Sequence, residues 1–259
     1  MIISLLTAAA MMTMNYGDAN VESSPSDKST ANELTIMSYN VHNGIGLDKV
    51  TDYSRIGEFI KSYNPDIVAI QEVDSVTERS QGKYVLEEIG KAADMRDYFS
   101  PSIDYRGGKY GIGILSKNEP LTVQRIPLPG REEARSLIVM EFPDYVFACT
   151  HLSLTEEDRN TSIEIITNLA KEYDKPFFIA GDFNAKPDSY LIKNFTDIFT
   201  PLNDIETFTF PADTPKITID YIMSYNFPKD GIKVIEQAVI DEAVMSDHRP
   251  VIVKVEFLK

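Results

Sequence analysis

Short runs of apolar or alternating residues recur along the chain from residue 34 to residue 257. Runs of this length that are rich in Ile, Val, Phe and Tyr and are bounded by polar segments predict β-strands. Nine strands are predicted in this way, at residues 34–39, 67–70, 112–115, 137–142, 145–149, 177–180, 217–223, 233–240 and 251–257. A core built mainly from β-sheet is therefore expected.

A few segments between these strands have helical spacing, and two of them serve as examples. In the first, apolar side chains three and four residues apart share one face: Ile56, Phe59, Ile60 and Tyr63. The second is predicted to begin with a capping box at Thr155-x-x-Asp158, and its apolar stripe comprises Ile165, Ile166, Leu169, Ala170 and Tyr173. Many strands with three or four helices predict two packed sheets with helices on the outside. A doubly wound parallel sheet is the alternative, although no glycine-rich phosphate loop follows the first strand.

The segment before the first strand differs from the rest of the chain. Residues 1–14 are mostly apolar and the first charged residue is Asp18, so residues 1–19 are predicted to be a signal peptide. The usual basic start is missing, and an apolar N-terminus on a cytoplasmic protein is the alternative. Residues 20–32 are polar and predict a flexible linker. We expect one folded domain at residues 33–259, periplasmic or secreted if the leader is a signal peptide and cytoplasmic otherwise.

Composition narrows the range of partners. Asp and Glu number 40 against 25 Lys and Arg, which gives a formal net charge of −15, and tryptophan is absent. A strong nucleic-acid surface is not expected, because such a surface is basic. A bound cation would attract an anionic substrate locally. Stable membrane insertion is not expected, since no long apolar hairpin is visible, and a monomer is expected. The single cysteine, Cys149, lies in an apolar run and is predicted to be a buried hydrophobe.

Polar residues cluster where the predicted strands begin or end. Carboxylates are hard oxygen ligands suited to Mg²⁺ or Mn²⁺, whereas imidazole and amide groups donate or accept protons and hydrogen bonds. Hydrolysis of a phosphoester needs a cation to polarise the phosphoryl oxygen, a base to activate water and a group that stabilises the leaving oxygen. The candidates, which include all three histidines of the chain, are Asn40, His42, Glu72, His151, Asp182, Asn184, Asp220, Asp247 and His248.

Taken singly, these residues have ordinary structural explanations. The Gly-Asp-x-Asn sequence at 181–184 is typical of a turn. Glu72 is consistent with a helix start or a surface carboxylate, Asp220 with the solvent face of an amphipathic strand, and His42 with a loop. The joint pattern therefore carries the functional hypothesis.

Seven segments resemble, in order, the motifs of the endonuclease/exonuclease/phosphatase superfamily, which includes DNase I, exonuclease III-like enzymes, neutral sphingomyelinases and inositol polyphosphate 5-phosphatases. They are residues 38–41 (Ser-Tyr-Asn-Val), 70–73 (Ile-Gln-Glu-Val), 110–116, 150–152 (Thr-His-Leu), 181–184 (Gly-Asp-Phe-Asn), 219–222 (Ile-Asp-Tyr-Ile) and 246–250 (Ser-Asp-His-Arg-Pro). The resemblance covers residues 34–257 and is specific for the superfamily rather than for a substrate. It implies an α/β (α+β) fold of the DNase I-like four-layer type, with two central mixed β-sheets flanked by helices.

The resemblance also implies a metal site and a group that activates water. Glu72 is the expected principal Mg²⁺ ligand, and Mn²⁺ is expected to substitute. Asn40 is expected close to the metal or the phosphate, and Asp247 at a metal position. Asp182 is expected to orient or deprotonate the attacking water, helped by Asn184, which also contacts the phosphate. No covalent enzyme intermediate is expected.

The remaining roles concern the phosphate. Asp220 is expected to pair with His248, which then acts as a base or stabilises the pentacovalent phosphate, while His151 contacts the phosphate or the leaving oxygen. His42 stands where some family members have an acidic residue, so either the metal has fewer carboxylate ligands or His42 contacts phosphate. Arg135 lies beside a predicted loop and is a further candidate phosphate contact.

The sequence therefore predicts a divalent-metal-dependent hydrolase of phosphate esters, and first of all a phosphodiesterase. The alternative is a phosphatase or phospholipase-type hydrolase that acts on inositol phosphates or lipid headgroups. The acidic charge disfavours a broad DNA or RNA nuclease. A non-catalytic phosphate-binding protein is disfavoured because the metal carboxylate, the water-orienting aspartate and the Asp-His pair are all present.

Overall fold

The computed structural model describes residues 32–225 and 231–258. These residues form four α-helices, α1 (Tyr53–Tyr63), α2 (Val85–Ala93), α3 (Glu156–Ala170) and α4 (Tyr190–Thr196), and a 3-10 turn at His42–Gly44. They also form the strands β1 (Glu33–Asn40), β2 (Ile67–Ser75), β3 (Arg96–Tyr105), β4 (Gly108–Ser116), β5 (Thr122–Leu128), β6 (Arg135–Glu141), β7 (Val146–His151), β8 (Phe177–Asp182), β9 (Thr200–Pro201), β10 (Asp220–Tyr225), β11 (Ile232–Val239) and β12 (Val251–Phe257).

Six strands form the first sheet, in the order β11-β12-β1-β2-β4-β3. β1 and β2 are parallel and are connected through α1, whereas β12 pairs antiparallel with β1. Helix α1 begins after Asp52, whose carboxylate accepts the Arg55 N–H at 2.9 Å, and ends at Asn64 in the left-handed conformation. The parallel crossover brings Asn40, at the end of β1, beside Gln71 of β2.

The second sheet has the order β5-β6-β7-β8-β10-β9. β7 and β8 are parallel and are connected through α3, and β10 pairs antiparallel with β8. Near the end of β8, Gly181 has a φ of 155°, and a Cβ there would collide with the carbonyl oxygen of Thr150 in β7. Glycine therefore allows the two strands to approach closely just before Asp182.

The two sheets pack face to face over an apolar core that includes Ile36, Phe147 and Phe178. Helices α1 and α2 cover the other face of the first sheet, and α3 and α4 cover the other face of the second. Each large apolar side chain buried in this way stabilises the fold by roughly 1.5–3 kcal/mol. This arrangement confirms the predicted four-layer architecture with two mixed sheets and excludes the doubly wound parallel sheet.

All nine predicted strands are present, with ends that shift by a few residues. The sequence patterns did not reveal β3, β5 and β9, or the helices α2 and α4. The three missed strands lie at the edges of their sheets. Most side chains of β3 and β5 are exposed or half-buried, so neither strand has the alternation that burial of one face imposes.

The predicted capping box at the start of α3 is wrong. Thr155 does precede the helix, but its hydroxyl donates to Glu132 Oε2 at 3.1 Å. Asp158 accepts the Arg131 N–H at 2.8 Å instead of capping the helix. A long-range carboxylate, Glu132, accepts the Leu154 N–H at 2.6 Å, which a local sequence pattern does not reveal.

The predicted signal peptide at residues 1–19 and nearly all of the predicted linker at residues 20–32 lie outside the described residues, so both stay predictions. Within the described ranges, none of the helices has the length and apolar character needed to span a membrane.

Candidate active site

The candidate residues converge at one edge of the sandwich because of strand direction. β1, β7 and β8 end at Asn40, His151 and Asp182, and the parallel pair β7–β8 aligns His151 with Asp182. β10 runs the opposite way and begins at Asp220, directly opposite Asp182. Antiparallel pairing of β12 with β1 brings the preceding segment, which contains Asp247 and His248, to the same edge.

The buried part of this site, called the floor below, consists of His151, Asp182, Asp220 and His248, with exposed fractions of 7%, 1%, 1% and 4%. His248 Nδ1 lies 3.0 Å from Asp220 Oδ2, and His248 Nε2 lies 3.7 Å from Asp182 Oδ2. Burial opposes a charge on this imidazole, but Asp220 and Asp182 outweigh burial and raise the pKa of His248 to about 10. His248 is therefore an imidazolium between two carboxylates at neutral pH.

The second imidazole of the floor has the opposite protonation state. His151 Nε2 lies 3.5 Å from Asp182 Oδ2. Burial lowers the pKa of His151 to about 4, which outweighs the attraction of Asp182. Burial and the neighbouring Asp220 raise the pKa of Asp182. Asp182 thus lies between a charged and a neutral imidazole and is more basic than an ordinary aspartate.

Asn40 connects the floor with the partly exposed side of the site. Its Oδ1 accepts the His42 N–H at 3.1 Å. Its Nδ2 donates to Asp182 Oδ2 at 3.2 Å and to Glu72 Oε1 at 3.1 Å. Ser246, which belongs to the 246–250 motif but has no expected role, donates its hydroxyl to the Asn40 carbonyl at 2.6 Å. This fully buried amide therefore fixes the distance between Asp182 and Glu72.

Glu72 lies in an irregular part of β2. The pairing of β2 with β4 shifts register between Ile70 and Val73, and Glu72 has a φ of 61°. A bulge of this kind re-aims a side chain at the end of a sheet, and a left-handed non-glycine residue persists only where the surrounding structure holds it. The fold therefore turns the Glu72 carboxylate toward Asn40, and its second oxygen has no partner among the described residues.

The partly exposed part of the site, called the rim below, consists of His42, Glu72 and Asp247. His42 Nδ1 lies 3.2 Å from the Ile45 carbonyl and 3.9 Å from Asp247 Oδ1, with the two side chains 34% and 28% exposed. The His42 imidazole is therefore beside the metal ligand expected at Asp247 rather than in the floor.

Two further candidates already have protein partners. Asn184 has a φ of 49°; its N–H donates to Asp182 Oδ1 at 2.8 Å and its Nδ2 donates to the Leu152 carbonyl at 2.9 Å. The amide oxygen of Asn184 is therefore the polar group of this side chain that can still contact a ligand. Arg135 is buried and donates to Glu133 at 3.0 Å and to Glu132 at 3.4 Å. Its charge is therefore largely balanced before any substrate binds.

Two groups of residues have donors for a divalent cation. Ligand atoms of Asp182, Asp220 and His248 lie within 4.8 Å of one another, so this buried group could hold a metal. Both nitrogens of His248 face a carboxylate, however, and a protonated imidazole does not coordinate metal. Glu72 has a free carboxylate oxygen in a partly exposed position, and hard oxygen donors are what Mg²⁺ and Mn²⁺ prefer. The residues at Glu72 fit a divalent cation better than the floor does.

Comparisons with known proteins agree with this geometry. The sequence profile of the Endonuclease/Exonuclease/phosphatase family matches residues 37–248. The chain belongs to the endonuclease/exonuclease/phosphatase family. Its fold is the DNase I-like sandwich of that family, whose members are hydrolases that act on phosphoesters.

Several solved structures are similar. An endonuclease/exonuclease/phosphatase from Beutenbergia cavernae DSM 12333 has 20% identity and a TM-score of 0.70, over 88% of this chain and 72% of that one. A protein with the same description from Bacteroides vulgatus has 19% identity and a TM-score of 0.70, over 87% and 99%. The Bacteroides thetaiotaomicron VPI-5482 mannosyl-6-phosphatase Bt3783 has 17% identity and a TM-score of 0.70, over 86% and 100%. No curated protein matches the chain.

Proposed function

We propose that this chain is a divalent-metal-dependent hydrolase of small phosphate esters. One observation carries the proposal: Asp182 Oδ2 faces His151 Nε2 at 3.5 Å, His248 Nε2 at 3.7 Å and Asn40 Nδ2 at 3.2 Å. The same Asn40 nitrogen reaches Glu72 Oε1 at 3.1 Å. A buried carboxylate between two imidazoles, beside a carboxylate suited to a metal, is the arrangement expected of a site that activates water.

A divalent cation, Mg²⁺ or Mn²⁺ in its place, would polarise a phosphoryl oxygen when bound. Glu72 would hold it, with Asn40 and Asp247 close by. His42, beside Asp247, is suited to orient that carboxylate or to contact the phosphate.

The floor supplies the proton chemistry. Asp182 accepts a proton from the attacking water while the water oxygen forms its bond to phosphorus. His248, kept protonated by Asp220, donates a hydrogen bond from Nε2 to a phosphoryl oxygen as negative charge develops there. The P–O bond to the alcohol breaks with its electron pair on the departing oxygen, which lies beside the neutral His151 and takes up a proton from solvent. The Asn184 amide oxygen accepts a hydrogen bond from the attacking water. No atom of the enzyme bonds to phosphorus in this scheme.

Charge balance supports diesters as the first expected substrates. A phosphodiester has one negative charge, whereas a monoester approaches two at neutral pH. The sequence-derived site residues include two cations, Arg135 and the His248 imidazolium. Glu132 and Glu133 already oppose Arg135, and Asp182 and Asp220 already oppose His248. A site with little surplus positive charge suits the monoanionic diester better.

A phosphomonoesterase is the second candidate, and one comparison favours it. Bt3783, described as a mannosyl-6-phosphatase, is matched over its full length at a TM-score of 0.70. A sugar monophosphate is therefore a reasonable substrate to test beside the diesters.

Two chromogenic substrates test the proposal and separate the candidates. We expect hydrolysis of bis-p-nitrophenyl phosphate in Mg²⁺ or Mn²⁺, loss of activity in EDTA, and recovery when the metal is added back. Faster hydrolysis of p-nitrophenyl phosphate would favour the monoesterase. Failure to hydrolyse either compound, a sugar phosphate or a phospholipid with any of these metals would refute the proposed function.

A further inference from the structure

Beside Glu72 lies a wall formed by Arg79, from the loop after β2, and by Tyr105 and Tyr110, from β3 and β4, to which the sequence motifs assign no role. Tyr110 lies in β4 opposite Asp74 of β2, next to the bulge that contains Glu72. Burial raises the pKa of Tyr110, and the nearby Glu72 and Glu133 raise it further. The Tyr110 hydroxyl thus keeps its proton at the border of the metal-binding carboxylate.

Arg79 is held in a fixed position. Its Nε and Nη2 donate to the two oxygens of Asp74 at 2.6 and 2.9 Å, and Asp74 is only 1% exposed. The Arg79 guanidinium carbon lies 4.7 Å from the ring centroid of Tyr105 and 5.3 Å from that of Tyr110. A guanidinium clamped by a carboxylate and two rings loses little conformational entropy when it binds a ligand.

Several polar groups of the wall are free to bind. Arg79 Nη1 and the hydroxyl groups of Tyr105 and Tyr110 have no hydrogen-bond partner within the part of the chain that the structure describes. The Arg79 side chain is 30% exposed. The wall therefore offers hydrogen-bond donors and acceptors to whatever occupies the space beside Glu72.

The charges and ring positions indicate the chemistry of the ligand. Arg79 is neutralised by Asp74. Arg106, 5.4 Å from the Tyr105 ring centroid, adds one positive charge, but Arg135, which acts on Tyr110 electrostatically, faces two carboxylates, Glu132 and Glu133. A second phosphate needs surplus positive charge, which these pairs do not provide. A flat base needs an open ring face, whereas both tyrosine rings already have Arg79 over a face. A neutral group with many hydroxyls is bound by several hydrogen-bonding groups with little net charge, and the wall provides such groups.

We propose that Arg79, Tyr105 and Tyr110 form a subsite that binds the alcohol portion of the substrate, and that this portion is a polyol such as a sugar or an inositol. The inference rests on the proposed function, because the subsite selects a substrate only if a phosphoester binds beside Glu72. It extends that function from phosphate esters in general to hydroxyl-rich ones.

The test compares two probes that have the same number of carbons and one phosphate, glucose 6-phosphate and hexyl phosphate. Each is titrated as an inhibitor of chromogenic phosphoester hydrolysis in Mg²⁺. Two or three additional hydrogen bonds predict that the wild type binds glucose 6-phosphate about tenfold more tightly or better. Equal inhibition constants, or tighter binding of hexyl phosphate, would overturn the proposal.

Two conservative variants locate the preference. Arg79→Lys keeps a cation for buried Asp74 but removes the guanidinium fork, and Tyr110→Phe keeps the ring but removes the hydroxyl. The preference is expressed as the inhibition constant of hexyl phosphate divided by that of glucose 6-phosphate. Each variant should lower this ratio roughly fivefold, as expected for loss of one or two hydrogen bonds. Arg96→Lys, at the other end of β3, and Tyr190→Phe, on α4, are matched controls that should leave the ratio unchanged. An unchanged ratio in both wall variants would overturn the assignment, and Tyr110→Phe decides if Arg79→Lys does not fold.

Ligand-observed NMR of both probes separates this inference from the proposed function, because binding needs no turnover. A preference for glucose 6-phosphate that disappears in Tyr110→Phe supports the subsite even if no chromogenic substrate is hydrolysed. Hydrolysis without any preference by NMR overturns the subsite and leaves the function standing. Tighter binding of adenosine monophosphate than of glucose 6-phosphate would also overturn it, since the recognised group would then be a base.

Discussion

The floor and the rim of the site are built differently. Every residue of the floor is at most 7% exposed and lies within 3.7 Å of a charged or polar partner in the floor, so its neighbours rather than water set its charge. In the rim, one Glu72 oxygen has no partner among the described residues, and the side chains of His42 and Asp247 are about one-third exposed. A buried cluster of charged and polar groups fixes protonation states, whereas a partly exposed carboxylate is accessible to a cation. In the proposed mechanism the floor carries proton transfer and the rim carries metal binding, and Asn40 joins the two regions.

The largest expected effect comes from the rim. Glu72→Gln should reduce turnover roughly a thousandfold, because a neutral amide binds a hard cation weakly and polarisation by metal is worth several kcal/mol. It should also weaken Mn²⁺ binding, measured by electron paramagnetic resonance, while the circular dichroism spectrum stays unchanged. Asp220→Asn is the matched variant in the floor and should leave Mn²⁺ affinity nearly unchanged. If Asp220→Asn weakened Mn²⁺ binding as much as Glu72→Gln, the division between floor and rim would be wrong.

A double-mutant cycle tests whether Asp220 and His248 of the floor act as one unit. Asp220→Asn and His248→Ala should each lower turnover about a hundredfold, because proton transfer and charge stabilisation contribute on this scale. The combined variant should lose little more than either single variant, since His248 depends on Asp220 for its charge. The cycle is measured with one chromogenic substrate at saturating metal. Additive losses would show that the two residues act independently.

A smaller effect on turnover is expected for Glu132→Gln. The Glu132 carboxylate connects the loop before β6 with the start of α3 through hydrogen bonds. Burial opposes its ionisation, but hydrogen bonds from the Leu154 N–H and from Ser153 and Thr155 lower the pKa of Glu132 to about 2. Glu132→Gln should lower the free energy of unfolding at pH 7 by about 1 kcal/mol, a modest value because water screens this partly exposed group. Turnover should fall only a few-fold, through looser placement of Arg135.

The difference in stability between the wild type and Glu132→Gln depends on pH, because the pKa of Glu132 is lowered in the folded protein. The stabilisation is fully present above the ordinary glutamate pKa of roughly 4.3 and is lost as pH falls toward about 2. Urea unfolding of wild type and Glu132→Gln should therefore converge between pH 4 and pH 2. Glu156→Gln, in the exposed first turn of α3, is the control and should show no such convergence. A stability difference that persisted below pH 2 would show that the packing of the Glu132 side chain, rather than its charge, stabilises the fold.

The smallest effect on turnover is expected for Cys149. Burial raises the pKa of its thiol to about 12, its side chain is fully buried, and it lies behind the site beside Gln71. Cys149→Ala should leave turnover within about twofold and lower the free energy of unfolding by about 1 kcal/mol through the small cavity it leaves. Thermal unfolding and a chromogenic assay measure the two effects. A loss of turnover comparable to that of Asp220→Asn would assign the thiol a chemical role.

Much of the fold and the identity of the site residues follow from sequence, because both depend on strands that are buried on their faces. Asn40, His151 and Asp182 end such strands, so strand prediction also locates them. The edge strands β3 and β5 were not predicted, because exposure removes the alternation of side chains. The N-terminal cap of α3 was predicted wrongly, since Glu132 competes for Thr155 and Leu154 across more than twenty residues of sequence.

Protonation states and the wall could not be predicted in this way. His151 and His248 are the same residue type and both face Asp182, yet the pKa of one falls to about 4 and that of the other rises to about 10. The difference depends on Asp220, whose carboxylate contacts the His248 imidazole but is not among the groups that act on His151. Arg79 lies in a loop without a recognisable motif, and its position relative to Tyr105 and Tyr110 depends on the turn between β3 and β4. These features require three-dimensional contacts rather than spacing.

The hydrogen bonds of Asn40 have a consequence for how the protein reaches its active form. Its amide contacts Asp182, 142 positions away, and lies 3.5 Å from His248, 208 positions away. Contacts of such separation form late in folding, because the closure of long loops costs entropy before the contacts compensate for it. During synthesis the site cannot assemble until the final strand, β12, has emerged and inserted between β1 and β11. A chain that ends before the segment leading into β12 lacks His248 and cannot complete this site.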